Sequence, residues 1–237
     1  MKAFLLAAGE GTRLRPLTNN TPKCLVPIKG TPLLGIWLGW CAFYGIDQVL
    51  VNSHAHSERV QEFLDGYQGP VQVTLTYEPE LLGSAGTLFR NQDFVAGERE
   101  FAVLYADVLT SCRFDRLLEF HRMRQAPVTV GTYRVPNPKQ CGIIAADETG
   151  RVVEFVEKPQ SPKSDTAFSG ILIGGSALVR CLPEDVPSDI GFDVLPRLAG
   201  DMFAFPISEY LLDIGTLEKY ERAQREWHGI ETGHRED

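Results

Sequence analysis

Leu5-Leu6-Ala7-Ala8-Gly9-Glu10-Gly11-Thr12-Arg13-Leu14-Arg15-Pro16-Leu17-Thr18 is the stretch on which the reading of this chain turns. It opens as the end of a short apolar run, residues 2–7, without polar alternation, which predicts a first strand buried on both faces. It then breaks into small residues and glycine, which let backbone N–H groups come close to an anion. Arg13 can add a forked cationic clamp, and Thr21-Pro22-Lys23 brings a second cation at the far end of the loop. The Gly-Lys-Ser/Thr ending of a P-loop is missing. A dinucleotide fingerprint would need glycine at position 14, where Leu14 stands, so a dinucleotide-dependent oxidoreductase is not expected. Residues 8–29 make a loop long enough to be read as functional rather than as a connection.

Working outward, strands and helices alternate. Thr31-Pro32 predicts a helix to about residue 44, with proline in its first turn and Gly45 after it. Residues 48–52 read as a strand, Ser57 as the cap of a helix to about 65, and 71–77 as an alternating strand. Ser84 reads as the cap of a helix to about 91; residues 101–106 form a fourth apolar strand and 114–125 an amphipathic helix. Such alternation builds a parallel sheet with helices on both faces and ligands at the carboxyl ends of the strands. After Pro127 the pattern changes to strands at 128–135, 142–146, 152–156 and 168–173, with Glu148-Thr149-Gly150 as a turn. Helices return at about 176–181 and 192–199, strands at 202–205 and near 210–212, and a final helix spans 216–227. The polar residues 229–237 are expected to fray.

Composition bounds the function. The 237 residues are 43% hydrophobic and 23% charged, which suits a folded chain with its own core and argues against disorder. The net charge of −8 argues against a nucleic-acid partner but allows a local cationic site. Residues 1–46 carry five basic side chains, Lys2, Arg13, Arg15, Lys23 and Lys29, against Glu10 alone, so the acidic excess lies elsewhere. Cys24, Cys41, Cys112, Cys141 and Cys181 include no Cys-x-x-Cys pair; reduced thiols and a cytoplasmic location are expected, not a structural zinc. No apolar run approaches the roughly 18 residues of a membrane span, so no membrane partner is expected. The amino-terminal run ends in a charged loop with no cleavage site and reads as a strand, not a signal peptide. The oligomeric state stays open, a homo-oligomer included.

Gly9-x-Gly11-Thr12-Arg13-Leu14-x-Pro16-Leu17-Thr18, followed by Pro22-Lys23-Cys24-Leu25-Val26-Pro27, resembles the sugar-phosphate nucleotidyltransferase family, the sugar-1-phosphate pyrophosphorylases. Further segments match in family order along almost the whole chain. Glu78-Pro79-Glu80-Leu81-Leu82-Gly83-Ser84-Ala85-Gly86 looks like the base-recognition segment, and Ala106-Asp107 like the first metal-binding Asp. Cys141-Gly142-Ile143-Ile144, Val156-Glu157-Lys158-Pro159 and Ser169-Gly170-Ile171 look like sugar-side segments, and Asp213-Ile214-Gly215-Thr216 like the second metal-binding Asp. Phe192-Asp193-Val194-Leu195-Pro196 and the surroundings of Asp213 look most like mannose- or heptose-1-phosphate guanylyltransferases, with N-acetylmuramate-1-phosphate uridylyltransferases next. The resemblance implies an α/β fold: a Rossmann-like, mostly parallel sheet flanked by helices, with a small antiparallel sugar-binding portion. It implies one domain over 1–237, with a nucleotide half to about 127, a sugar-phosphate half at about 128–228, and no carboxyl-terminal β-helix.

The implied reaction joins an NTP to a sugar 1-phosphate, releases pyrophosphate and uses Mg²⁺. The attacking phosphate is already anionic, so positioning and charge stabilisation matter more than a general base. Arg13 and the amides of residues 9–12 suit the β- and γ-phosphates, Lys23 the α-phosphate and Lys158 the sugar phosphate. The resemblance implies nucleotide contacts at Leu6, Ala7, Ala8, Gly9, Gly11, Thr12, Arg13, Lys23, Glu78, Gly83, Ala85 and Asp107. It implies sugar-phosphate contacts at Gly142, Glu157, Lys158, Ser169 and Gly170, and Mg²⁺ ligands at Asp107 and Asp213. Arg13, Lys23, Asp107, Lys158 and Asp213 form the expected catalytic set. Glu78 can accept twice from the N1–H and N2–H₂ edge of guanine, which favours GTP over dTTP, while some UTP-using relatives also carry acidic residues near this position. A catalytically silent nucleotide- or sugar-binding module would have replaced one of Arg13, Lys23, Asp107 or Asp213, and none is replaced. His54 and His56 lack a third metal ligand, and Trp37 and Trp40 lie on an apolar helix face that reads as core. The arginine pairs Arg122/Arg124 and Arg222/Arg225 read as solvated helix faces.

Overall fold

Ala3, Phe4 and Leu5 are all buried in β1 (Lys2–Leu6), in a computed structural model that describes residues 1–230. The remainder of the tail expected to fray, from 231 on, lies outside the described residues. The loop after β1 contains two short 3-10 turns, Thr12–Leu14 and Lys23–Leu25. It ends in a small antiparallel ladder of β2 (Pro27–Ile28) and β3 (Thr31–Pro32). That pairing holds Thr31 and Pro32 in extended backbone, so α1 (Leu33–Phe43) begins after the proline rather than with it. There follow β4 (Gln48–Ser53), α2 (Ser57–Asp65), β5 (Gln72–Tyr77), α3 (Gly83–Arg90) and β6 (Phe101–Tyr105). β7 (Val108–Thr110), a strand with no clear sequence signal, leads to α4 (Phe114–Arg124). The antiparallel part comprises β8 (Val128–Arg134), β9 (Gly142–Ala146), β10 (Val152–Glu157) and β11 (Thr166–Gly174). α5 (Ser176–Arg180), β12 (Met202–Pro206), β13 (Leu211–Asp213) and α6 (Leu217–Glu226) complete the chain.

Nine strands form one mixed sheet in the order β10-β9-β11-β6-β1-β4-β5, with β8 on β11 and β12 on β8. β1 runs parallel to β4 and β6, and β4 runs parallel to β5. The chain leaves β1 toward β4 on one side and returns to β6 on the other. A crevice therefore opens beyond the carboxyl ends of β1 and β6, where the strand order reverses. β11 joins the two parts, because it pairs with β6 through 171–174, with β9 at Ala167, and with β8 through 166–168 and 172–174. The register slips between Phe168 and Leu172, and Gly170 at φ +79 takes up the bend.

The sheet is covered on both faces, which accounts for the unbroken apolar strands. On one face Ala3, Leu5, Val49, Val51 and Leu104 pack with Trp37 and Trp40 of α1 and Phe114 of α4. On the other, Phe4, Leu50 and Val103 pack with Leu88 of α3 and Leu178 of α5. Trp37 and Trp40 are thus core residues, edge to face at 5.1 Å.

Three local expectations are corrected. Residues 192–199 do not form an α-helix. A π-turn over Ile190–Val194 gives way to a 3-10 turn over Leu195–Leu198. Pro196 has no N–H for the bond an α-helix would require there. Ser57 is the first residue of α2 rather than its cap; His56 precedes it in the left-handed region at φ +56. Ser84 lies inside α3 and gives no cap bond. Thr216, by contrast, caps α6, accepting from the Lys219 N–H at 3.3 Å. No described helix is long and apolar enough to cross a membrane.

Candidate active site

Four parallel strands end at one cavity of about 290 Å³. Leu6, Ala7, Ala8 and Gly9 reach it from β1, Asn52 from β4, Glu78 from β5, and Tyr105, Ala106 and Asp107 from β6. Lys23, Cys24, Leu81, Gly83, Ser84 and Thr87 complete its wall. A second cavity of about 290 Å³ opens beside it, between Asp107, Asp213, Tyr133 and the bends of the antiparallel strands. Tyr105 and Asp107 line both.

The loop after β1 takes its shape from Gly11, at φ +64, where a Cβ would lie 3.0 Å from the Thr18 methyl and 3.1 Å from Lys23. The Thr18 hydroxyl donates to the Gly11 carbonyl at 2.7 Å and closes the turn. The amides of residues 9–12 donate to no group among the described residues, as an anion cradle requires. Ala7 differs, since its N–H is already taken by Asn52 Oδ1 at 2.6 Å. Thr12 and Arg13 are exposed and lie outside the first cavity. Arg13 faces Gly215 instead, where a Cβ would sit 3.3 Å from its Nη2 and 3.0 Å from Asp213 Oδ1.

Glu78 is 2% exposed and satisfied from within the chain. Its Oε1 accepts from Asn52 Nδ2 at 2.8 Å and from the Thr87 hydroxyl at 2.6 Å, and its Oε2 accepts from the Leu82 N–H at 3.2 Å. A carboxylate oxygen has two lone pairs. One position on Oε2 is therefore open, which corrects the expectation that both oxygens could meet a base edge. Ala85 is fully buried behind the cavity, and its N–H goes to the Ser188 carbonyl at 3.0 Å. Gly83 lines the cavity at φ +74 and lies so close to Ser188 that a Cβ would be 2.2 Å from its carbonyl oxygen.

Asp107 and Asp213 come together by strand pairing. β13 runs antiparallel to β7 with Asp213 opposite Val108, and the Ile214 N–H donates to the Asp107 carbonyl at 2.7 Å. Each carboxylate holds a lysine. Lys23 Nζ is 2.6 Å from Asp107 Oδ2, and Lys219 Nζ is 2.6 Å from Asp213 Oδ2. Among the described residues no group of three or more His, Cys, Asp or Glu is placed to hold a metal, and His54 Nδ1 lies 2.7 Å from the Glu78 carbonyl. Two partly exposed carboxylates on one cavity do suit Mg²⁺, which takes one or two carboxylates and completes its shell with phosphate and water.

The second cavity carries the expected sugar-side residues Gly142, Glu157, Lys158, Ser169 and Gly170. The Glu157 carboxylate is wedged between two glycines: a Cβ at Gly142 would lie 2.5 Å from Oε2 and one at Gly191 2.6 Å. Burial pushes this carboxyl above its ordinary range; Lys158 draws it back and Asp189 adds to the rise. Lys158 adopts a left-handed φ of +47, an unfavourable conformation for a residue with a Cβ, and such strain concentrates at functional sites. Its Nζ lies 3.8 Å from Glu157 Oε1 and 5.4 Å from the ring centre of Phe192, which is 55% exposed. Ser169 is buried and its hydroxyl accepts from the Ile171 N–H at 3.2 Å. Burial also raises the phenol pKa of Tyr105 and Tyr133.

Sequence reasoning missed Asn52, Tyr105, Lys219, Asp189 and Gly191. Asn52 left a usable signal, an amide closing an otherwise apolar strand. Lys219 left little, because a lysine in the first turn of a helix usually points to solvent.

The pattern of the nucleotidyl transferase family matches residues 2–228. A UTP--glucose-1-phosphate uridylyltransferase of Synechocystis is 32% identical over 95% of this chain and 63% of its own length. A mannose-1-phosphate guanylyltransferase of Mycobacterium tuberculosis is 32% identical over 93% of this chain and 62% of its own. The chain thus spans somewhat less than two thirds of these relatives. HddC of Yersinia pseudotuberculosis, crystallised with GMP-PN, shares the fold at a TM-score of 0.79, with 22% identity over 94% of this chain and 97% of that one.

Proposed function

The chain belongs to the nucleotidyl transferase family, and from that premise we propose that it transfers a nucleoside monophosphate from an NTP to a sugar 1-phosphate. A phosphate oxygen of the sugar 1-phosphate attacks the α-phosphorus in line. The bond from that phosphorus to the bridging oxygen breaks, and pyrophosphate leaves with the electron pair. No proton must be removed, so the chain's task is to hold two anions together and neutralise charge. The observation that carries this reading is the pair of cavities meeting at Asp107, with Lys23 on one side and Lys158 on the other.

In this reading the free amides of residues 9–12 and Arg13 receive the β- and γ-phosphates, and Lys23 follows the charge on the α-phosphate. Lys158 holds the phosphate of the sugar, and Glu157, with Gly142 giving close backbone approach, accepts from sugar hydroxyls. Asp107 and Asp213 would hold Mg²⁺, which when bound supplies charge neutralisation at the phosphate oxygens. Lys23 and Lys219 then turn from the carboxylates to the phosphates. GTP is our favoured donor: guanine can give one N–H of its N1–H and N2–H₂ edge to the single open position on Glu78 Oε2. We also place the protein in the cytoplasm, in line with its five free thiols.

The test is pyrophosphate release from each of GTP, UTP, dTTP and ATP with Mg²⁺ and a panel of sugar 1-phosphates. Release with GTP and a hexose or heptose 1-phosphate is expected. Release with UTP or dTTP instead would move the assignment to a uridylyl- or thymidylyltransferase, and nucleotide binding without release would leave a binding module.

A further inference from the structure

Ser84 lines the nucleotide cavity, where its hydroxyl meets the Tyr105 phenol, yet it also makes two hydrogen bonds that cross to the sugar side. Its hydroxyl donates to Asp189 Oδ2 at 2.8 Å and accepts from the Ile190 N–H at 2.8 Å. Asp189 Oδ1 in turn accepts from the Gly191 N–H at 2.8 Å and the Phe192 N–H at 3.2 Å. Those two residues shape the second cavity: Gly191 leaves room for the Glu157 carboxylate, and Phe192 lies beside the Lys158 ammonium. Backbone contacts reinforce the crossing. The Ala85 and Gly86 amides donate to the Ser188 carbonyl, and the Ser188 amide donates to the Leu82 carbonyl at 2.9 Å.

We propose that Ser84 is a positioning residue for the sugar phosphate: from inside the nucleotide cavity it orients Asp189, and through it the turn that sets Glu157 and Lys158. The inference rests on the two-cavity reading above. The hydroxyl does not cap α3, whose first amides go to the Ser188 carbonyl, and its neighbour Tyr105 lines both cavities. Asp189 has both oxygens committed, so releasing Oδ2 frees the carboxylate to rotate and strips Gly191 and Phe192 of a fixed acceptor. Hydrogen bonds to charged groups are the ones whose loss is felt most. The backbone bonds at Ser188 survive removal of the hydroxyl, so Ser84→Ala is expected to fold.

Two measurements on Ser84→Ala and Ser84→Thr test the proposal. The first is amide hydrogen exchange of Gly191 and Phe192 in the free protein, which needs no turnover. Exchange there is expected to quicken about tenfold in Ser84→Ala, as loss of one charge-assisted bond implies, and to return in Ser84→Thr, which keeps a hydroxyl. The second is the KM of each substrate, with the NTP and sugar 1-phosphate that turn over best. The sugar 1-phosphate KM is expected to rise about tenfold while that of the NTP stays within about twofold. Unchanged exchange, or a rise confined to the NTP, would overturn the proposal and make Ser84 an ordinary nucleotide contact. If no substrate pair turns over, the enzymatic reading fails, while the exchange result still decides whether Ser84 holds the 189–192 turn.

Discussion

The first cavity is made where parallel strands end, and the second where antiparallel strands bend. In the first, Leu6, Asn52, Glu78 and Asp107 are placed by the register of β1, β4, β5 and β6, and buried hydrogen bonds fix Asn52, Glu78 and Thr87 to one another. In the second, the placement comes from exceptions: Lys158 in a left-handed conformation, a slipped register in β11, and Glu157 wedged between glycines. Rigidity in the one comes from hydrogen-bonded side chains. In the other it comes from close packing against glycines and from the turn that Asp189 holds, so the two should fail differently when changed.

The largest expected effect is on the first cavity. Lys23→Ala removes its buried cation and leaves Asp107 without a partner, and kcat/KM should fall by about a thousandfold, as for loss of one preorganised charge contact. A loss smaller than about tenfold in steady-state assays would mean that Lys23 only balances Asp107. The second cavity should respond more selectively. Gly142→Ala must displace the Glu157 carboxylate and the Phe155 ring, so the sugar 1-phosphate KM should rise about tenfold with the NTP KM unchanged. Equal rises in both would erase the distinction between the cavities.

At the boundary the effect is smaller. Lys219→Met frees Asp213 from a partly exposed ion pair, so Mn²⁺ should bind the nucleotide-free protein more tightly, by about fivefold at most. A titration that finds weaker binding would make Lys219 a support for Asp213 instead of a competitor. The mildest effect concerns stability. The raised Glu157 carboxyl keeps a proton in the folded chain at pH values where the unfolded chain has lost it. Stability should therefore fall as pH rises from the ordinary carboxyl range through that raised value. Glu157→Gln should flatten this slope in thermal melts, and an unaltered slope would show that Glu157 ionises freely.

The same contrast explains what could be read from the sequence. The apolar run over 2–7 and the alternation of strands and helices up to residue 125 follow from local periodicity, and the structure forms them with shifts of a residue or two at their ends. The strands from 128 onward follow from it too, because apolar alternation survives in antiparallel pairs. The pairing of Asp107 with Asp213 depends on the short ladder of β7 and β13, with only three residues in each strand, which carries almost no pattern. Ser84 read as a helix cap because its real partner, Asp189, lies 105 residues away. The 192–199 segment read as a helix because its apolar spacing outweighed Pro196. Glu78 lines the first cavity, but the donors that occupy it come from β4 and α3, separate elements on either side of it in the sequence.

One consequence follows from the wall that Tyr105 and Asp107 share. Under the proposed function, a lineage or an engineer wishing to change the sugar cannot enlarge the second chamber toward the first, since any gain there is taken from the nucleotide. Diversification has to proceed on the far side, where Tyr133, Cys141 and Phe192 stand. Donor and acceptor preference are then independent traits everywhere except along this partition, and a library confined to those three positions should yield new acceptors without new donors.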